Sequence, residues 1–125
     1  MATRGTIAVH HEDGTVSQVY AHWDNYLEGT GATLLAHYNT LRLAEALVNG
    51  GNISSVEQDV DSTEYYGRDR GEEDSDAREF ASLDLYYVGI SREEFNYLYT
   101  GGQWRVEYSG TGGEYVPLTR AMKTA

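Results

Sequence analysis

The chain has 125 residues, which is enough for one ordinary domain with its own core and too few for two. Hydrophobic residues make up 40% of it and aromatic residues 12%, more than disordered chains contain, and the absence of cysteine excludes disulfides and thiolate metal sites. The net charge of −11, with Lys123 as the single lysine, argues against binding to duplex nucleic acid or to anionic membranes. Apolar stretches are short throughout, so we expect a soluble cytoplasmic protein.

The first segment predicts a β-hairpin. Residues 6–10 alternate apolar and polar side chains, with Ile7 and Val9 on one face. Asp13-Gly14 is a turn signal, and residues 15–23 alternate again.

The period then changes to that of a helix with one buried stripe. Apolar residues recur at three- and four-residue steps from Leu34 to Val48, and Asn49-Gly50-Gly51 provides a stop. Thr30 or Thr33 is a candidate N-cap. Asn39-Thr40 leaves two alternatives open, one broken helix or two short helices with Thr40 capping the second.

The middle of the chain concentrates the negative charge. Residues 57–79 contain ten acidic side chains against three arginines, and we expect an irregular strand or turn at 56–66 followed by an exposed, mobile loop at about 67–79. Two interpretations stay open: a solvated loop that maintains solubility, or a set of carboxylates that imitates phosphates on a basic partner.

The last third predicts mainly strands. Residues 83–90 (LDLYYVGI) are rich in β-formers and predict a buried strand. Residues 94–100 and 104–108 alternate around Gly101-Gly102 and predict a second hairpin, with a helical turn at 91–94 as the competing interpretation. Pro117 predicts a sheet edge and the final residues a loose tail. The fold class is therefore expected to be α+β: one domain, with an antiparallel sheet of four to five strands and one or two helices packed on one face.

Aromatic and polar side chains that suit a flat ligand cluster at two places, residues 22–26 and 37–39. Their rings can stack on a base, their polar groups can read its edge, and an arginine near the start of the sheet can meet a phosphate. The candidate ligand-binding residues are Arg4, His22, Trp23, Asp24, Tyr26, His37 and Tyr38. The competing interpretation places Trp23 and Tyr38 in the core.

Nothing in the sequence indicates catalysis or a metal. Adjacent His10 and His11 on a strand point to opposite faces, and no nucleophile stands beside a recognisable base. We therefore expect a binding protein, not an enzyme, with no cofactor and no metal site.

Five stretches of the first 55 residues form a set of motifs: Thr3-Arg4-Gly5-Thr6-Ile7, Asp13-Gly14, Tyr20-Ala21-His22-Trp23-Asp24-Asn25-Tyr26, Leu34-Leu35-Ala36-His37-Tyr38-Asn39 and Gly51-Asn52-Ile53-Ser54-Ser55. Together these motifs resemble a group of small uncharacterised accessory proteins of bacteriophages and prophages. This chain has Gly5, Asn25 and Asn52 where the group has serine, glycine and aspartate.

The resemblance implies a phage accessory protein in the host cytoplasm and no particular activity. Small phage proteins of this kind often counter host defence, which leaves two hypotheses. One hypothesis is a sponge, a homo-oligomer that sequesters a nucleotide-derived immune signal without cleaving it, with arginines brought together at subunit interfaces. The alternative is an acidic inhibitor that occupies the nucleic-acid-binding cleft of a host defence nuclease or another host protein.

Overall fold

The computed structural model describes residues 2–124. Within this range the chain forms eight strands and four α-helices. In chain order they are β1 (Gly5–His10), β2 (Val16–Ala21), α1 (Ala32–His37), α2 (Leu41–Asn49), β3 (Ile53–Ser55), β4 (Glu64–Tyr65), β5 (Arg78–Phe80), α3 (Leu83–Gly89), β6 (Phe95–Thr100), β7 (Gln103–Tyr108), β8 (Val116–Pro117) and α4 (Leu118–Thr124). A π-helical turn at Leu27–Gly31 leads into α1.

The strands form one mixed, open sheet in the order β4-β3-β2-β1-β6-β7-β8. Strand β1 pairs antiparallel with β2 and parallel with β6, and β2 pairs parallel with β3. The outer edge of β2 is shared: its first half pairs with β5, while its last residue, Ala21, pairs with Ile53 of β3. Strand β2 therefore lies where the acidic segment joins the sheet.

Both faces of the sheet are covered. The larger core lies between the sheet and α1, α2 and α4, and it buries Ile7, Val19, Leu47 and Trp104. A smaller core on the opposite face packs Tyr86 of α3 against three strands. Because side chains alternate along a strand, consecutive residues of β2 have their side chains on opposite faces of the sheet.

The structure confirms both predicted hairpins and the break in the helical region. The first hairpin joins β1 and β2, and the second joins β6 and β7 through Gly101-Gly102, both at positive φ. Thr40 caps α2, since its side-chain oxygen accepts a hydrogen bond from the backbone N–H of Leu43. Thr30 and Thr33, in contrast, cap nothing: the helical region begins at Leu27.

Other parts of the predicted fold are wrong. Residues 83–89 form α3 and not the strand predicted over 83–90, because Ser82 caps a helix whose buried side, continued by Ile90, recurs at i, i+3, i+4 and i+7. The sheet has more strands than expected and is partly parallel, and helices cover two faces and not one. The predicted loose tail contains α4, which packs Leu118 into the larger core.

The acidic segment is held together internally by Arg68. Arg68 donates hydrogen bonds to the carbonyls of Val60 and Thr63, at 2.9 and 2.6 Å, and pairs with Asp69. That guanidinium lowers the pKa of the Asp69 carboxyl below its usual value. Residues 78 and 79 belong to β5, so the predicted loop ends in a strand; its mobility stays a prediction. Among residues 2–124, no helix has the length and apolar character needed to cross a bilayer.

Candidate functional site

The loop that follows β2 is fixed by Asn25, which is fully buried. Its Nδ2 donates hydrogen bonds to the carbonyls of Thr3, Ala21 and Trp23 at 3.0, 3.0 and 3.2 Å. Its Oδ1 accepts a hydrogen bond of 2.9 Å from the hydroxyl of Thr30. One amide thus joins the chain start, the end of β2 and the π-helical turn, and holds the predicted ligand-binding loop in place.

Three rings form a row at the end of β2. The Tyr20 hydroxyl lies 2.6 Å from His22 Nδ1, and the His22 and Trp23 rings meet edge to face with centroids 4.6 Å apart. The Trp23 side chain is 43% exposed. Backbone hydrogen bonds from His22 and Trp23 to β3 keep this ring row in position, so it offers solvent an aromatic surface that is already ordered.

Three other predicted residues lie around the ring row. Arg4 is exposed, and its positive charge lowers the pKa of the Tyr20 hydroxyl against the larger, opposite effect of burial. Asp24 is exposed at φ 59°, a conformation that non-glycine residues rarely adopt. Tyr26 is 39% exposed and precedes the π-helical turn.

The remaining two predicted residues do not join this surface. Tyr38 is 1% exposed, its hydroxyl donates a 2.7 Å hydrogen bond to the carbonyl of Glu57, and its own carbonyl accepts one from Trp104 Nε1. It belongs to the larger core, on the face of the sheet opposite Tyr20. His37 is exposed at the end of α1, which packs on that same core face. The structure therefore divides the predicted site in two.

A cleft of about 260 Å³ opens beside the ring row, on the face of the sheet that carries α3. Tyr20 forms part of its wall and so connects it to His22 and Trp23. The residues that line the cleft are Thr6, Gln18, Tyr20, Asn52, Asp74, Asp76, Arg78, Ser91 and Glu93.

Gln18 is the unusual residue of this cleft. It lies in β2 between Ala8 of β1 and Arg78 of β5, and its side chain is buried, with 4% of the residue exposed. Its Nε2 has no hydrogen-bond partner among the residues that the structure describes. Burying an amide without a partner costs about 1–3 kcal/mol, so native proteins rarely retain such a group without a reason. The Nε2 atom has almost no exposed surface of its own, so a molecule in the cleft reaches this donor when the Gln18 side chain turns toward it.

Charges of both signs surround this donor. The Arg78 guanidinium lies 5.1 Å from the centre of the Phe80 ring and makes only long contacts, 3.4 Å, with Ser91 Oγ and the carbonyl of Gly89. Asp74, Asp76 and Glu93 contribute carboxylates. Burial raises the pKa of the Tyr20 hydroxyl, which therefore keeps its proton at neutral pH and remains a hydrogen-bond donor.

A scan against protein-family models, a search of curated proteins and a search of solved structures each found no match. The resemblance to phage proteins therefore stays a prediction. Across the described part of the chain, no group of three or more histidine or acidic side chains is arranged to hold a metal ion.

Proposed function

We propose that the chain is a binding protein that holds a small, flat, nucleobase-containing ligand in the cleft of Gln18 and against the adjoining ring row. The observation that carries this proposal is the unpartnered Nε2 of Gln18 at 4% exposure, in a cleft whose wall continues into exposed aromatic rings. A buried donor beside an exposed ring matches a ligand that has both a π-face and a hydrogen-bonding edge.

The lining of the cleft narrows the class of ligand. A ring nitrogen or carbonyl can accept the hydrogen bond from Gln18, and exocyclic amino groups can donate to the carboxylates of Asp74, Asp76 or Glu93. Nucleobases present these two kinds of group on one edge. Arg4 and Arg78 can meet a phosphate, but the three carboxylates disfavour a ligand with many phosphates. The proposal is therefore a nucleoside or a nucleotide with few phosphates.

We propose binding without cleavage at this cleft. The residues that line it include no histidine or lysine that could act as a base toward the hydroxyl of Ser91 or Thr6. If the resemblance to phage accessory proteins holds, the bound molecule is a nucleotide-derived immune signal that the protein removes from its receptor.

The test is native mass spectrometry and calorimetry with a panel of nucleosides and linear and cyclic nucleotides. We expect one member of the panel to stay bound to the protein. The substitution Gln18→Met should raise its Kd at least about tenfold, because it removes one buried hydrogen bond. Trp23→Ala should cost about 1–3 kcal/mol of binding free energy through lost stacking. His37→Ala is the control, since His37 lies on α1, on the other side of the sheet. Equal losses from His37→Ala, or no ligand retained from the whole panel, would contradict the proposal.

A second candidate function is supported by the conformation of the acidic segment. The guanidinium group of Arg68 lies over the Tyr65 ring and that of Arg70 over the Tyr66 ring, and Arg68 also donates to backbone carbonyls. The positive charges of both arginines therefore interact with groups of the segment itself. Nine of the ten carboxylates of residues 57–79 are exposed; only Glu64, which pairs with Arg70, is partly buried. Such an exposed acidic surface, with its arginines paired internally, suits a basic cleft on a host protein, because attraction between opposite charges steers the encounter.

The two functions are separated by a double substitution, Glu72→Gln with Glu73→Gln. Both side chains are exposed, and the glutamines remove two charges without changing size. An acidic inhibitor should lose affinity for its partner, captured from bacterial lysate by wild-type protein, whereas nucleotide binding at Gln18 should be unchanged. Unchanged nucleotide binding, with no partner captured by the wild-type protein, would support the ligand-binding function alone.

A further inference from the structure

A larger cleft, of about 620 Å³, opens on the opposite face of β2. It lies between the end of β1, helix α2 and the chain leading into β5. The residues that line it are His11, Ser17, Arg42, Glu45, Ala46, Val48, Asn49, Asp76, Ala77 and Glu79. No motif in the sequence brings these residues together, and Asp76 is the one lining residue that this cleft shares with the cleft of Gln18.

Three of the lining side chains form a hydrogen-bonded row. His11 Nε2 lies 2.7 Å from Ser17 Oγ, and His11 Nδ1 lies 2.6 Å from Glu45 Oε2. The order hydroxyl, imidazole, carboxylate is the one in which a histidine can take a proton from a nucleophile while a carboxylate orients the ring. Both distances fall within the range that such proton transfer requires.

A fourth side chain competes for the serine proton. Ser17 pairs with Glu79 across β2 and β5, and its hydroxyl donates a 2.8 Å hydrogen bond to Glu79 Oε1. A hydroxyl has one hydrogen, so at any time Ser17 can donate a hydrogen bond either to Glu79 or to the unprotonated Nε2 of His11. The conformation that supports a nucleophile therefore requires the Ser17 hydroxyl to turn from Glu79 to His11.

We infer that Ser17 is a nucleophile that accepts an acyl group from small neutral or cationic esters, with His11 as its base and Glu79 as a brake. Ser17 Oγ bonds to the ester carbonyl carbon while its proton passes to His11 Nε2. The C–O bond to the leaving alcohol then breaks, and the alcohol takes that proton. Water subsequently attacks the acyl-serine and releases the carboxylic acid, which restores the hydroxyl. The carboxylates of Glu45, Asp76 and Glu79 disfavour anionic esters.

The cleft also supplies donors for the oxyanion of the tetrahedral intermediate. Arg42 and Asn49 both line it, and both side chains are exposed. Side-chain amides and guanidinium groups serve in this role in acyl-transfer sites. The backbone N–H of Ser17 does not contribute, because Ser17 lies within β2 between two paired strands.

The experiment uses the intact protein with a fluorophosphonate probe and with p-nitrophenyl acetate. The fluorophosphonate forms an O–P bond with an activated serine and loses fluoride, and peptide mapping identifies the labelled residue. We expect an adduct on Ser17, nitrophenolate release that Ser17→Ala loses, and a decrease of at least about 100-fold with His11→Gln. Glu79→Gln should accelerate both reactions about tenfold, since the glutamine amide can donate to Ser17 Oγ and free its proton for His11.

Ser109→Ala is the matched control, because this exposed serine follows β7, away from the cleft, and its loss should change nothing. Urea unfolding of each variant shows that it is folded, and an increase with Glu79→Gln cannot arise from unfolding. If the Glu79→Gln variant gives an adduct on Ser17 and the wild-type protein does not, the inference is supported and Glu79 is the group that blocks the wild-type serine. No adduct on Ser17 in either protein, or ester turnover that Ser17→Ala leaves intact, overturns it.

Discussion

Replacing Gln18 by methionine should make the protein more stable while it weakens ligand binding. The buried Nε2 of Gln18 has no partner within residues 2–124, so in the unbound protein it contributes an unfavourable desolvation term of about 1–3 kcal/mol. Methionine has nearly the same length and fills the same space with apolar atoms. Because the cleft is polar, we expect only part of that term to be recovered, a gain of about 1–2 kcal/mol.

Urea unfolding measures this gain directly. With a slope of about 1–3 kcal/mol per molar urea for small domains, 1.5 kcal/mol moves the midpoint upward by about 0.5–1.5 M without changing the slope. Thermal unfolding should shift upward by about 6 °C, from an unfolding entropy of about 2.1 cal/mol/K per residue over 125 residues. Gln103→Met is the control, since Gln103 is exposed on β7 and its substitution should stay within about 0.5 kcal/mol.

A loss of stability of more than about 1 kcal/mol in Gln18→Met would refute the reasoning. It would show that the Gln18 amide is satisfied in the unbound protein, which removes the observation on which the proposed ligand site rests. A gain in stability combined with weakened ligand binding is the opposite result. It identifies Gln18 as a group that is retained for function at a cost in stability.

Three further predictions concern the framework that holds the site. Thr40→Ala should lower the free energy of unfolding by about 1 kcal/mol in urea, because it removes the N-cap of α2. Tyr97→Phe should cost about 1 kcal/mol in the same assay and loosen the site loop, seen as faster amide exchange, because the Tyr97 hydroxyl donates to the carbonyl of Asn25 at 2.7 Å. Burial raises the pKa of Tyr115 to about 12 and that of Tyr86 as well, so the folded protein keeps protons that the unfolded chain loses near pH 10. Stability measured by urea unfolding should therefore be constant between about pH 7 and 9 and fall between about pH 10 and 12; a flat profile from pH 7 through pH 12 would contradict these shifts.

Local signals explain which parts of the fold the sequence predicts. The first turn is set by Asp13, whose carboxylate accepts hydrogen bonds from both the N–H and the hydroxyl of Thr15. The helix break at Thr40 and the turn at Gly101-Gly102 likewise depend on residues within one turn of the chain. Interactions of this range can be read from a single sequence.

The errors come from interactions at long range or from ambiguous periodicity. In residues 83–90 every residue but Asp84 is apolar, tyrosine or glycine, so the buried stripe of a helix cannot be distinguished from a buried strand by composition. The helix is favoured by the tertiary contacts that Tyr86 makes with the β-strands. Parallel pairing of β1 with β6 joins residues about 90 positions apart and leaves no local signal.

The candidate sites were predicted only where aromatic residues marked them. The residue types of His22 and Trp23 predict a binding surface, and the two rings do form part of an exposed ring row. Gln18 and Asn25 are ordinary amides in sequence, and only burial and hydrogen-bond accounting show their roles. The contact of His11 with Glu45 spans 34 positions and a change of element, which spacing rules do not detect.

The acidic segment connects the two clefts because it forms part of the wall of both, and its net charge is less important for this role than its position. Ser17 and Gln18 are neighbours in β2 and point to opposite faces, and Asp76 lines the cleft on each face. The chain is held there by a 2.7 Å hydrogen bond from the N–H of Asn52 to the carbonyl of Ser75.

Gly51 allows this approach, since it is at φ 89° and a Cβ there would overlap the carbonyl of Ser75. Deleting residues 68–76 would therefore open both clefts as well as remove negative charge. Loss of function in such a deletion cannot distinguish a phosphate mimic from a wall of the ligand site. Substitutions that remove charge and keep the backbone, such as Glu72→Gln with Glu73→Gln, do distinguish them, because they leave Asp76 and both clefts in place.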